Sequence, residues 1–220
     1  MAALHRHQLV RLSNAGWSAV LARPWDAVAR ACLSHWAARH EPLVVTQQAA
    51  GLPAEQLGLG LAAPLRWERR RIALQVPLAD VLCFDEFPSA HAVAGLLAAR
   101  RRGAWLRLAD TLVELGAAPR VHGSFGWQQL TGLDYLHAGS DLDLRLSARD
   151  AAAADVLAAV LARADPRGPR LDGELVFPDG SAAAWREWRQ WRARQVDRLL
   201  VKRLRGVSME TGSAWLPQPC

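Results

Sequence analysis

Residues 121–146 read VHGSFGWQQLTGLDYLHAGSDLDLRL. An apolar residue leads into Gly123-Ser124, a connector follows, and the stretch closes on Asp141-Leu142-Asp143-Leu144. In a strand, residues two apart share a face. Asp141 and Asp143 therefore stand side by side, roughly 7 Å apart at the backbone, while Leu142 and Leu144 face a core. Like charges on one face repel, and partial desolvation adds to that cost. A divalent cation offsets it, and Mg²⁺ takes one or two carboxylates together with phosphate oxygens. Gly123 permits a tight turn and a close backbone approach. Ser124 offers a hydroxyl and an N–H to an anion, and a helix starting near Phe125 would aim its free N–H groups at the same spot. Phosphate on one edge and metal on the other is the arrangement that phosphoryl transfer requires.

Downstream, RLDGELVF (170–177) alternates as a strand and sets Asp172 and Glu174 two apart on one face. Either one supplies the third carboxylate of a two-metal site; the sequence leaves that choice open. Gly173 between them predicts close packing of another backbone or a ligand. Asp179-Gly180 signals a hairpin, Ser181 to Trp185 a returning strand, and VDRLLVKRL (196–204) a strand or short helix. Ser147 and Asp150 have the spacing of a capping pair. The helix they introduce carries an apolar stripe of Val156, Leu157, Val160 and Leu161, and Pro166 to Pro169 ends it.

Upstream, Ser89 is placed to cap a helical pattern running from Ala90 to Gly116, with Trp105, Leu108, Leu112 and Leu115 on its apolar side. Gly103 is expected to divide it into two helices and Gly116 to cap its end. Pro119 to Gly123 begins a strand. From Pro119 onward the order is strand, short helix, strand, helix, strand, strand, which is an α+β arrangement with a mixed sheet. Residues 28–40 have helical spacing, EPLVVTQ (41–47) reads as a strand, and RRRIALQVPLADV (69–81) as a strand followed by a turn. LGLGLAAPL (57–65), rich in Gly and Pro, reads as a loop. The resulting division is an N-terminal domain over 1–84, a catalytic domain over 85–210 and a tail over 211–220.

The 220 residues carry a net charge of +6, nearly all from arginine, with Lys202 the only lysine. The balance favours anionic partners: phosphates, nucleic acid or an acidic protein. Cys32, Cys83 and Cys220 form no CxxC pair, so neither a zinc site nor a disulfide framework is expected. A reduced, cytoplasmic setting follows. No apolar run approaches the ~20 residues that span a bilayer, and the opening residues lack the apolar core of a signal peptide. AWREWRQWRARQVDR (184–198) interleaves tryptophans and arginines. Trp185, Trp188 and Trp191 share a helical face, so this is read as an amphipathic helix burying its tryptophans, in preference to a membrane-surface or nucleic-acid platform. His122, beside Gly123, is assigned a packing role.

An apolar residue, Gly-Ser, a connector and Asp-apolar-Asp-apolar together resemble the nucleotidyltransferase superfamily that includes DNA polymerase β. The connector from Phe125 to Ser140 has 16 residues, longer than in most members. The segments Gly123 to Gln128, Leu130 to Leu136 and Ser140 to Leu144 are similar to one branch, the phosphoribosyl-dephospho-CoA transferases of malonate decarboxylase, also called its holo-acyl-carrier-protein synthases. RLDGELVFPDG (170–180), AWREW (184–188) and LLVKRL (199–204) share that likeness. The resemblance implies a DNA polymerase β-like mixed sheet with flanking helices, preceded by a smaller α/β domain. It implies a donor, 2′-(5″-triphosphoribosyl)-3′-dephospho-CoA, and an acceptor serine on the acyl-carrier protein subunit of malonate decarboxylase, with pyrophosphate leaving. Asp141 and Asp143 would hold Mg²⁺, and Asp172 or Glu174 would help bind a second ion or take the proton. Gly123, Ser124 and Lys202 would contact phosphates. No nucleic-acid or membrane partner is expected. Two rival readings stay open: a related nucleotidyltransferase using an NTP donor, and a non-catalytic basic protein that binds nucleic acid.

Overall fold

The computed structural model describes residues 4–164 and 169–216; Pro166 to Gly168 of the turn expected after the third long helix, and Cys220, lie outside the described residues. The chain divides into two compact units, one comprising Met1–Glu86, Leu133–Tyr135 and Leu204–Gly206, the other Phe87–Gly132, Leu136–Arg203 and Val207–Cys220.

The first unit runs β1 (Leu9–Leu12), α1 (Asn14–Leu21), α2 (Ala27–Arg39), β2 (Leu43–Val45), β3 (Gln56–Ala62), β4 (Arg71–Pro77) and β5 (Val81–Asp85). Its strands form one antiparallel sheet in the order β4-β3-β2-β1-β5. Side chains cap both helices: Ser13 accepts from the Gly16 N–H at 3.1 Å, and Asp26 accepts from Val28 and Ala29 at 3.0 Å each. Leu9, Leu33, Trp36 and Leu43 are fully buried. The loop expected over 57–65 is instead mostly strand β3. Leu57, Leu59 and Leu61 alternate into the core at 1, 1 and 2% exposure, and that period outweighs the strand weakness of the intervening glycines. The side chain of Gln48 seals one of them, accepting from the Gly58 N–H at 2.8 Å and donating to its carbonyl at 2.9 Å.

The second unit begins with a 3₁₀ turn over Ala92–Leu96 and continues through α3 (Ala99–Glu114), β6 (Arg120–His122), α4 (Gly123–Thr131), β7 (Leu142–Ser147), α5 (Ala151–Ala162), β8 (Leu171–Val176), β9 (Ala182–Ala184), α6 (Trp185–Arg192), β10 (Leu199–Arg203) and β11 (Gly206–Glu210). The sheet order is β11-β10-β9-β8-β7-β6. β7 and β8 are parallel, while the pairs β6–β7, β8–β9 and β9–β10 are antiparallel. The chain is thus α+β with a mixed sheet in this unit. Leu142, Leu144 and Leu146 enter its core with Leu112, Leu157, Leu161, Trp185 and Trp188. Each fully buried side chain of this size stabilises the fold by about 1.5–3 kcal/mol.

Four expectations are corrected here. Gly103 does not divide a helix; it lies within α3, and the break falls at Leu97-Ala98. The helix tolerates the roughly 1 kcal/mol a glycine costs because Trp105, Ala109 and Leu112 bury one continuous face; Leu115 points out, at 43% exposure. Ser147 closes β7 and caps nothing, since Asp150 alone is the N-cap of α5, accepting from Ala153 N–H at 2.7 Å. The buried face of α5 is Ala154, Leu157, Ala158 and Leu161, with Val156 47% exposed. Small residues there let the helix approach closely, so the alanines rather than the valine are buried. α6 buries Trp185 and Trp188 as expected while Trp191 is only partly buried, and Asp155 on α5 holds the helix by accepting from Trp188 Nε1 at 2.9 Å and from Arg192 Nη2 at 2.7 Å.

Candidate active site

All the candidate residues belong to the second unit. β6 delivers the chain to Gly123, which opens α4 with φ +60°. The reason for glycine is steric: a Cβ there would sit 2.0 Å from Asp143 Oδ2 and 3.0 Å from its Cγ. The turn and the acidic strand are therefore built against each other, in agreement with the antiparallel register that pairs His122 with Asp143. Ser124 is the second residue of α4, among the N–H groups that have no partner inside the helix. His122 packs edge-on to Phe87, ring centroids 6.3 Å apart. We expect Gly123→Ala to leave the protein folded, since the atom it meets ends a side chain that can turn away. If the site is catalytic, activity should fall at least 100-fold, because the Asp143 carboxylate loses its position. Circular dichroism with an activity assay checks this, and near-normal activity would contradict it.

Asp141 immediately precedes β7 and Asp143 lies within it. The parallel register places Asp143 opposite Asp172 and Arg145 opposite Glu174. This separates the two acids that the sequence left equivalent. Asp172 joins Asp141 and Asp143, whereas the carboxylate of Glu174 is 9% exposed and receives Lys202 Nζ at 2.7 Å. The close approach foreseen at Gly173 is made by backbone: a Cβ there would lie 2.0 Å from the Leu144 carbonyl oxygen.

One guanidinium binds this cluster. Arg170 donates from Nε to Asp141 Oδ1 at 3.2 Å, and from Nη2 to Asp141 Oδ2 at 2.7 Å and Asp172 Oδ2 at 3.2 Å. Its hydrogen bonds hold the Asp141 carboxyl below the usual carboxylate range. Asp143 goes the other way: burial, and then the charges of Asp172 and Asp141, push it up to about 6. Arg186, at the start of α6, donates to the Leu171 carbonyl at 3.0 Å and adds positive charge near Asp141. The sequence reading missed both arginines. Arg170 carried a usable signal, since it stands two residues before Asp172, where strand periodicity puts opposite charges on one face.

The donor chemistry fits a hard divalent cation. Asp143 on β7 stands opposite Asp172 on β8 and Asp141 immediately precedes β7, and the charged form of Asp143 is disfavoured by burial and then by the other two carboxylates. Among the described residues, no group of three or more His, Cys, Asp or Glu is arranged to hold a metal ion by itself, so phosphate oxygens would have to complete the coordination. Among the described residues, too, no helix is long and apolar enough to cross a membrane.

Comparison with known proteins covers nearly the whole chain. Residues 5–87 match the family described as phosphoribosyl-dephospho-CoA transferase MdcG N-terminal domain, and residues 86–212 match the corresponding C-terminal domain. A phosphoribosyl-dephospho-CoA transferase of Bradyrhizobium diazoefficiens is 33% identical over 216 residues, covering 94% of each chain. Its namesake in Xanthomonas campestris pv. campestris is 31% identical over 189 residues, covering 86% of this chain and 87% of that one. The one in Xanthomonas euvesicatoria pv. vesicatoria is 35% identical over 195 residues, covering 83% and 84%. No solved structure matches the chain at a significant level.

Proposed function

The chain belongs to the phosphoribosyl-dephospho-CoA transferase family, and we propose from this that its acidic site moves the phosphoribosyl-dephospho-CoA group from 2′-(5″-triphosphoribosyl)-3′-dephospho-CoA to a serine of the malonate decarboxylase acyl-carrier protein. The enzyme is a transferase. The observation that carries the site assignment is the parallel register setting Asp172 beside Asp143. It supports a DNA polymerase β-like nucleotidyltransferase arrangement, with Gly-Ser at a helix start facing paired carboxylates.

In the proposed reaction the carrier's serine oxygen bonds to the phosphorus next to the ribose. The bond from that phosphorus to the bridging oxygen breaks, and pyrophosphate departs with the electron pair. Gly123 and Ser124 hold the leaving phosphates at the start of α4, where free N–H groups and the helix dipole favour negative charge. Asp141, Asp143 and Asp172 would hold Mg²⁺, which when bound neutralises phosphate charge and lowers the pKa of the attacking hydroxyl. Asp172, opposite Asp143 on the neighbouring strand, is the residue we assign to take the serine proton. The acceptor is an acidic carrier in this reading, and the +6 chain would steer it electrostatically.

Lys202 we assign to the phosphates as well as to Glu174. Lys202→Met would raise the KM for the donor, through the lost phosphate contact. It would also lower the melting temperature, because removing one partner of a largely buried ion pair costs on the order of 2–4 kcal/mol. A lower melting temperature with an unchanged KM would restrict Lys202 to the structural role.

The direct test is the intact mass of the purified acyl-carrier subunit after incubation with this protein, Mg²⁺ and the triphosphoribosyl donor. A gain equal to the phosphoribosyl-dephospho-CoA group, absent with Asp141→Asn or Asp143→Asn, is the expected result. An adenylyl-sized gain in a parallel reaction with ATP, and none with the named donor, would replace the substrate assignment by an NTP. No gain with either would sink both.

A further inference from the structure

We propose that Arg170 is a built-in counter-ion of the carboxylate cluster, displaced by the divalent cation and then passed to the donor's phosphates; this rests on the metal-binding reading of the site above. One guanidinium spans two acids from different segments, reaching both oxygens of Asp141 and one of Asp172. Such a planar fork matches carboxylate and phosphate oxygens equally well. Its side chain is 59% exposed, so it is free to swing, and exposed pairs of this kind hold only weakly. Lys202 contrasts with it, being 30% exposed and tied to a carboxylate that is 9% exposed.

Arg170 and a cation therefore compete for the same oxygens. A cation arriving alone must expel Arg170 into solvent. A cation arriving with a triphosphate offers the guanidinium a new anion at the moment it is expelled. Arg170 thus lowers the affinity for the bare ion and couples metal binding to triphosphate binding, and the coupling is reciprocal. Its role is positioning and selection of the loaded donor; it need not touch the reacting atoms.

Mn²⁺, followed by the electron paramagnetic resonance signal of the free ion, reads this without any turnover. Wild type, Arg170→Gln, Asp143→Asn and the double variant would be titrated with Mn²⁺ alone, then with Mn²⁺ plus inorganic tripolyphosphate. Arg170→Gln should bind Mn²⁺ alone roughly two- to fivefold more tightly than wild type, the upper part of the range expected from losing an exposed charge pair. It should also lose most of the tightening that tripolyphosphate produces in wild type. Arg170→Lys, which keeps the charge without the fork, should fall between the two. Equal Mn²⁺ affinity in wild type and Arg170→Gln, with Asp143→Asn weakening both, overturns the role of Arg170 and leaves the metal site standing. If Asp143→Asn changes Mn²⁺ binding in neither background, the metal-binding reading itself fails, and this proposal with it.

Discussion

Asp143→Asn should abolish transfer and at the same time make the protein more stable in the absence of divalent cations. The two effects have one cause. Asp143 is pushed from the usual 3.8 to about 6 by burial and by Asp172 and Asp141. A carboxyl whose folded value is raised binds more protons in the native state than in the unfolded one between those two values. Stability therefore falls as pH rises from about 4 to about 6 and stays lowered above that. At roughly 1.36 kcal/mol per tenfold change in acidity, the cost at neutral pH is on the order of 2–3 kcal/mol. The amide isostere removes it. In buffer containing a chelator, Asp143→Asn should melt roughly 5 °C above wild type at pH 7.5, by the usual conversion for a chain of this size. The gap should close at pH 4. Activity should drop on the order of 10³-fold or more, as when a group aimed at transition-state charge is removed. A variant that is inactive and also less stable at pH 7.5 would mean that Asp143 is held by favourable contacts and not against its neighbours' charge.

The acidic strand was legible because its pattern has period two. Leu142, Leu144 and Leu146 had to face inward once the segment was a strand, and that alone turned Asp143 outward. The choice between Asp172 and Glu174 was not legible, because both satisfy the same period. Only the parallel register with β7 separates them, setting Asp172 against Asp143 and Glu174 against Arg145. That register is a tertiary property, produced by the crossover through α5 and invisible in either strand alone. Arg170 was legible only in part: its spacing to Asp172 was a local signal, whereas its pairing with Asp141, 29 residues away in the chain, was not. The strand at 56–62 was missed for a different one. Glycine was read as a loop former there, although Leu57, Leu59 and Leu61 held the alternation. Residue type was given more weight than period, and in that sheet the buried leucines decide.

Gly173→Ala carries the largest expected loss of stability. The residue sits at φ +141° in the middle of β8, in a region that a side chain makes strained whatever the space. There is no space either: the new methyl would lie 2.0 Å from the Leu144 carbonyl oxygen and 2.7 Å from both its carbonyl carbon and its nitrogen. These are backbone atoms of the neighbouring strand, so no rotamer change relieves the clash. β7 and β8 must separate, and Leu144 and Leu175, both fully buried, must move with them. Strain and lost packing together should exceed about 4 kcal/mol, the level at which single substitutions become exceptional. Thermal melting should fall by more than 10 °C, at the roughly 2–4 °C per kcal/mol expected for a domain of this size. Because Asp143 and Asp172 are the register pair directly before this point, whatever folded protein remains at low temperature should also bind Mn²⁺ poorly. The contrast with Asp143→Asn is the informative part, since both variants would be inactive and their melting temperatures would move in opposite directions. A Gly173→Ala protein that melts within two degrees of wild type would show that β8 reaches this close approach without needing glycine, and would remove the steric account of why glycine separates the two acids.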